Sequence, residues 1–571
     1  MNCKDKILSN DYADLIIDYD IPEDYFIPYD HCKHEIANEL SILYVQRTGY
    51  SPNNLSATGY SILPKVYGLL PLNPGTRSVR NGFNSVSLME SGILATQGQP
   101  LNLTGQGVTI GFIDTGIQYQ NEVFLDETGQ SRIRAIWDQT IQSGTPPQGF
   151  EFGSEYTKEM IDQAIASDNP LLIVPSVDNT GHGTAVASVA AGSRLTGERR
   201  FTGAAPESDI VMVKLKEAKQ YLRDYYFIPD GAHCYQENDI MLAIQYLQRY
   251  AVSLHRPLVI VLGVGSNFGA HTGTTILGRY MDSLSKLKSR VFVTAAGSEG
   301  NAAHHFHGEI NKQNQIRNVE VRVGEDSNGF MMDLWGETPF LFSVAIRSPG
   351  GETIRSINPR ILSTQEFNFV FERTTVSVDY LIVEQTSGAE LIRFRFENPT
   401  NGIWTISVNS ESDIVNGHFD IWLPITDFLT TETYFLEPDP YITMTEPSYV
   451  SSSISVTAYN DANDSIYFQS GRGYSRVGAI KPDIAAPGVN VSTISGTQTG
   501  TGIAAAITAG GIAQLFQWAV INGNYVLLDA GNVKNFIIRG ATRDNNIEYP
   551  NRNWGYGRLD IEGIFQFFAG F

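Results

Sequence analysis

The sequence predicts an α/β chain, a parallel sheet with helices on both faces, preceded by a small N-terminal domain and interrupted by an all-β insert. Three observations predict it. Short apolar runs ending in Asp or Gly alternate with helical patterns from about 106 onward and again after 452. Between them, residues 309–440 break into short, alternating, aromatic-rich runs separated by turn residues. A cluster of Pro71, Asn73, Pro74, Gly75, Asn81 and Gly82 punctuates the chain ahead of the first apolar run. The expected units are 1–80, 81–308, 309–440 and 441–571, the second and fourth forming one domain. With 571 residues the chain holds about three to five domain-sized units.

Residues 1–70 carry one strand-like run, LSILYV at Leu40 to Val45, and the linker boundary falls within 70–95. GVTIGFIDTG (107–116) reads as a buried strand, and GHGTAVASVAAG (181–192) as a tightly packed helix opening on Gly. DIVMVKL (209–215), PLVIVLGVG (257–265) and RVFVTAAGS (290–298) read as further buried strands, with ENDIMLAIQYLQRYA (237–251) as a helix. The insert runs from NVEVRV through HFDIWLPI and is read as a sandwich or jelly roll. Its aromatics are assigned to the sandwich core ahead of a carbohydrate-binding face. ISVTAYN resumes the α/β pattern, followed by an apolar helix from Ile503. The window Ile503–Ile521 is long enough to span a membrane, but its Ala, Gly, Thr508, Gln514 and Gln517 suit a buried core helix, so no membrane span is expected.

Composition excludes some functions. The charge is −21, with 40 Lys and Arg against 61 Asp and Glu, which argues against coating nucleic acid or an anionic membrane. The 42% hydrophobic and 11% aromatic content argues against disorder. Cys3, Cys32 and Cys234 are too few for a disulfide framework and include no C-x-x-C pair, so no dependence on an oxidising compartment is expected. The N-terminus shows no secretory signal. The expected location is therefore cytoplasmic.

Three islands carry chemistry. Asp114 directly follows a buried strand, in IDTG. His182 lies in NTGHGTAVAS at a helix start. The third is TGTGIAAAITAG (499–510), with APGVN (486–490) upstream. In that order they resemble the subtilisin-like serine peptidases (subtilases). More narrowly, WDQT (137–140), VKLKEAKQYLRDYYFIP (213–229), YQENDIM (235–241), SGRGYSR (470–476), IKPDIAAPGVN (480–490) and YPNRNWGYGRL (549–559) resemble the Csp-type germination subtilases of spore-forming anaerobes. The resemblance covers nearly the whole chain. It implies a prodomain at the N-terminus, a subtilase domain and an inserted jelly roll.

The family mechanism uses an Asp to orient a His, the His to deprotonate a Ser, and an Asn side chain with a backbone N–H to stabilise the oxyanion. The resemblance assigns the first two roles to Asp114 and His182. The nucleophile belongs at 502, where this chain has Gly502; the oxyanion Asn belongs at 298, in AAG-x-EGN, where it has Ser298. Glycine offers no hydroxyl, and in subtilisin loss of the nucleophile costs about 10⁶ in kcat. A natural pseudoprotease is therefore expected. Thr501, Ser495, Thr497 and Thr499 lie near in sequence, but attack geometry tolerates only about 1 Å of misplacement.

Gly265, Ser266, Asn267, Phe268 and Gly269 occupy the stretch where subtilases pair with substrate backbone, and are read as a peptide cleft. The chain is expected to stay continuous, with its own prodomain, SILPKVYGLL (61–70) or the linker after it, in that cleft. His304, His305 and His307, with His271 elsewhere, could bind zinc, yet no Cys or carboxylate stands at ligand spacing, so they are read as structural. No metal and no cofactor is expected. The resemblance implies roles from processing of a cortex-lytic enzyme precursor during germination, for active members, to signalling, for inactive ones. The leading expectation is a binding or regulatory pseudoprotease whose partner is a peptide, a protein or another subtilase. The alternatives are residual peptidase activity through Ser298 or a nearby Thr, and a scaffold or chaperone for an active paralogue.

Overall fold

The computed structural model describes residues 1–18, 30–47, 60–75, 85–196, 200–312, 315–359, 361–411 and 416–570. Its centre is a nine-stranded sheet. The strands Arg290–Ala295, Leu258–Leu262, Thr109–Asp114, Asp209–Lys214 and Ile133–Asp138 lie side by side in that order, all parallel. Ile454–Asn460 and Ile484–Pro487 extend the parallel part. Both edges are antiparallel: Ser154–Thr157 pairs with Ile133–Asp138, and Ser465–Ile466 with Ile454–Asn460. The sheet is therefore mixed where the sequence predicts a parallel one. The edge strands are the two- and four-residue pieces that carry no long apolar run.

The parallel strands are apolar along their whole length because both faces are covered. On one face Ile110, Phe112, Val259 and Val261 pack beneath the helices His182–Ala191 and Thr501–Phe516. On the other Ile113, Leu258, Ile260 and Leu262 pack beneath Glu237–Leu254 and Ile276–Ser285. Every residue of Thr501–Phe516 is buried. The helical stretch Thr501–Ile521 is long and apolar enough to cross a membrane, and 89% of its apolar window is enclosed within the protein.

The N-terminal unit is a helix, Cys3–Leu8, on a three-stranded antiparallel sheet of Tyr12–Ile17, Leu40–Gln46 and His31–Ala37. It seats on the Glu237–Leu254 helix, where Gln245 Nε2 donates to the Glu35 and Ile36 carbonyls at 2.8 Å each. Cys3 and Cys32 form a disulfide, a single cross-link where the sequence reading expected no disulfide framework; the docking of the helix brings the two Cα atoms to 5.7 Å across a separation of 29 residues. Cys234 is buried and free.

The insert is two packed antiparallel sheets, of six and five strands. Its first strand, His305–Ile310, starts a few residues before the expected join. Trp404, Phe394, Phe419 and Tyr380 are buried between the sheets, so these aromatics are core. A cross-strand pair, Asp333 opposite Arg393, forms a buried bidentate bridge at 2.7 and 2.8 Å. The Arg393 guanidinium lies 4.6 Å from the Tyr60 ring centre and 5.9 Å from that of Phe268, tying the insert to the N-terminal region and the α/β domain.

Candidate active site

Asp114 ends the strand Thr109–Asp114, and His182 is the first residue of the helix His182–Ala191. His182 Nδ1 donates to Asp114 Oδ1 at 2.7 Å, with both residues buried. Thr115 N–H adds a bond to the same oxygen at 2.7 Å. Asp178, which the sequence reading passed over, holds the helix start. Its Oδ1 accepts from Gly181 N–H at 2.9 Å and its Oδ2 from Thr184 N–H and Oγ1 at 2.9 and 2.7 Å. An Asp just ahead of a helix opening is a capping signal that could have found it. Gly263 leaves the room the pair needs, since a Cβ there would collide with Asp114 Oδ2.

Gly502 is the second residue of the helix Thr501–Phe516. A Cβ at this position would lie 3.9 Å from His182 Nε2 and 3.7 Å from Leu72 Cδ2, in ordinary contact with both. The place is open to a small side chain and faces the imidazole. Ser298 is half-buried in the loop after the strand Arg290–Ala295. Thr501 Oγ1 donates to Gly297 O at 3.3 Å, so the loop bearing Ser298 abuts the helix start.

A stretch of the chain itself runs through this site. Val66–Leu69 lies antiparallel between Cys234–Gln236 and Val264–Gly265, with Gly68 opposite both Cys234 and Gly265. Leu70 N–H donates to Gly263 O at 3.0 Å. Past Pro71 and Leu72, Asn73–Pro74 pairs with Gly496–Thr499, and Gly75 N–H donates to Thr497 O at 2.8 Å. Asn73 Nδ2 also donates to Tyr467 Oη and Gln469 Oε1 at 2.9 Å each. Of the five residues expected to line the cleft, Gly265 is in this ladder. Ser266 instead exchanges backbone bonds with Glu446 at 3.0 and 2.8 Å, and Asn267 Nδ2 donates to Leu423 O at 3.1 Å. Phe268 packs against Tyr226 with tilted rings whose centres are 4.8 Å apart, and Gly269 follows with a φ of 143°. The ladder thus ends at Gly265 because the next residues are taken by the insert and by Glu446.

The insert also closes the cleft. A Cβ on Gly68 would collide with Ile425 Cδ1 and crowd the Phe428 ring. Neither residue was singled out from sequence, since their separation from Gly68 exceeds anything a local pattern reports. Tyr67 and Leu70 are buried, and the Tyr67 hydroxyl lies among Glu237, Glu446 and Thr275. Burial pushes Glu446 up to about 8.

His182 Nε2 lies 2.8 Å from the Leu70 carbonyl oxygen. A carbonyl can only accept, and so can the Asp114 carboxylate on Nδ1. Both ring nitrogens therefore donate, which makes His182 an imidazolium. Burial works against that charge, but Asp114, by its charge and its hydrogen bond, together with the Leu70 carbonyl, outweighs it and raises the His182 pKa. The histidines of the 304–307 cluster all face carboxylates, which the sequence reading did not find at ligand spacing. His304 Nδ1 is 2.6 Å from Glu299, and His305 Nε2 and His307 Nδ1 are 3.1 and 2.8 Å from Asp420. His271 stacks on Trp422 at 3.9 Å, and His305 stacks on the same indole at 4.6 Å.

A buried Asp–His pair at the strand and helix ends of a doubly covered sheet, beside the start of an apolar helix, defines a subtilisin-like fold. The subtilase family model matches residues 105–319 and 440–557, leaving out most of the insert, and the chain belongs to the subtilase family. It is of the Csp type: the solved CspB protease of Clostridium perfringens is similar at 30% identity, over 85% of this chain and 99% of that one, with a TM-score of 0.75. The epidermin leader peptide processing protease EpiP of Staphylococcus aureus is similar at 13% identity over 98% of each chain, with a TM-score of 0.46. No curated protein matches the chain.

Proposed function

We propose that this Csp-type subtilase is a proteolytically silent member that binds an extended peptide and acts as a binding or regulatory pseudoprotease in spore germination. The observation that carries the reading is Gly502: the position facing His182 Nε2 has no hydroxyl. The substitution at Ser298 supports it, because one short donor stands where the family mechanism uses an Asn amide. Thr501 offers no replacement, since its hydroxyl is bonded to Gly297 O. Asp114 and His182 then serve as a clamp on a backbone carbonyl instead of a proton relay. Residues 1–80 act as a prodomain that is retained uncut, with 66–74 as its cleft-bound segment.

The occupant's side chains suggest the preferred ligand. An extended segment with an aromatic residue, then Gly, then two aliphatics reproduces Tyr67-Gly68-Leu69-Leu70. An external peptide or an active subtilase's own segment of that chemistry would compete for the cleft. The test is fluorophosphonate labelling of the intact protein alongside its Gly502→Ser variant. The expected result is no adduct on the natural chain and an adduct at position 502 in the variant. An adduct on the natural chain, at Ser298 or a neighbouring Thr, would replace this reading with an unconventional peptidase.

A further inference from the structure

We propose that the outer face of the insert carries a site for a borderline-soft divalent transition-metal ion, of the zinc, cobalt or nickel type, formed by His307, Glu309 and His418. The sequence reading expected no metal, because it found no Cys or carboxylate at ligand spacing beside the histidine cluster; His418 lies over a hundred residues further along the chain. The strand register brings it back. His305–Ile310 pairs antiparallel with Gly417–Trp422, which sets Glu309 directly opposite His418 and His307 opposite Asp420. Residues two apart on a strand share a face, and directly opposed residues share it too. Phe306 and Ile310 point into the sandwich core, so His307, Glu309 and His418 project from its outer face.

His307 Nε2 and His418 Nδ1 each lie 3.8 Å from Glu309 Oε1, and the three ligand atoms are all within 4.8 Å of one another. A tetrahedral ion with bonds of about 2.1 Å sets its ligand atoms roughly 3.4 Å apart, so small side-chain rotations close the set. Two imidazoles and one carboxylate select transition metals over calcium or magnesium, which take all-oxygen sets.

A second feature points the same way. The buried Asp420 accepts from His307 Nδ1 at 2.8 Å. That bond fixes the tautomer that leaves the Nε2 lone pair facing Glu309 and His418, the carboxylate–histidine arrangement that orients metal ligands. Three protein ligands leave a fourth tetrahedral position, which water fills. His305–Ile310 is the edge strand of its sheet and directly follows the loop from Ser298 to His304. An ion here would pin that edge strand to its neighbour where the chain leaves the α/β domain.

The test is titration of the full, tag-free chain with Co²⁺, followed by its visible d–d absorption and by displacement with Zn²⁺. The expected result is one saturable equivalent. His418→Ala and Glu309→Gln, both at solvent-accessible positions, should each weaken it at least tenfold. Asp420→Asn should keep the stoichiometry and lower affinity by about ten- to a hundredfold. His233→Ala removes a surface His paired with Glu217, on a different part of the molecule, and should change nothing. Absence of a saturable equivalent, or a cobalt spectrum that survives in His418→Ala, would overturn the assignment.

Discussion

The two halves of the candidate site differ in what they keep. The acid–base half, Asp114 and His182, retains a 2.7 Å hydrogen bond, deep burial and a ring of supporting bonds from Thr115 and Asp178. The acyl half, positions 502 and 298, has a glycine with open space and a short hydroxyl. The difference teaches that the geometry of one half of a site does not depend on the side chains of the other. Asp114 and His182 are embedded in strand and helix ends, where changing them would leave a buried polar group unpaired. Position 502 carries no such structural duty, since a Cβ there touches its neighbours only at ordinary distance.

The largest expected effect comes from refilling the acyl half. In subtilisin the nucleophile is worth about 10⁶ in kcat and the oxyanion amide about 10²–10³, so Gly502→Ser with Ser298→Asn should raise peptidase activity far above that of the natural chain. Cutting within the chain's own segment should be slow. The register sets Leu70 against Gly263 and His182, so the bond to be cut is Leu70–Pro71. The proline nitrogen carries no N–H and bears the ring where the His must deliver a proton. Adding Pro71→Ala should speed that cut, read as the rate of appearance of two fragments.

The next effect breaks the support that the insert gives the cleft. Arg393→Ala strands the buried Asp333 carboxylate and should cost about 3–5 kcal/mol in chemical denaturation. Gly68→Ala, which drives a methyl into Ile425, should cost about 1–3 kcal/mol. It should also expose residues 60–75 to limited proteolysis, and Ile425→Ala should restore protection.

The smallest effect isolates the clamp. The His182 pKa is raised in the folded protein, so its contribution is fully present below the unfolded value of about 6.5 and fades as pH rises through the higher folded value. The stability difference between the natural chain and His182→Ala should therefore be greatest at acid pH, about 1 kcal/mol, and shrink above neutrality. Taking the difference between the two proteins cancels other titrating groups such as Lys481, which burial lowers to about 7. A difference that grows with pH would mean that His182 is neutral and that Leu70 is held by other bonds.

What the sequence made legible follows the range of each interaction. Asp114, His182 and Gly502 sit in short motifs whose neighbours in sequence are also their neighbours in space. The parallel core was readable because a strand buried on both faces must be apolar throughout. The antiparallel edges at Ser154–Thr157 and Ser465–Ile466 were not, since four or two half-exposed residues carry no such pattern. Ile425 against Gly68, Asp420 beside two histidines and Cys3 with Cys32 all depend on how distant elements dock. Of residues 265–269, Gly265 pairs with the chain's own segment, and the partner that draws Ser266 away, Glu446, lies beyond the insert, out of reach of any local pattern.

The most direct measurement is the intact mass of the purified chain, beside the Gly502→Ser, Ser298→Asn, Pro71→Ala variant. This account predicts that the natural chain remains whole and that the variant yields fragments divided after Leu70. A natural chain that arrives already cut between 60 and 100 would contradict it, and would mean that some group other than residue 502 supplies the nucleophile.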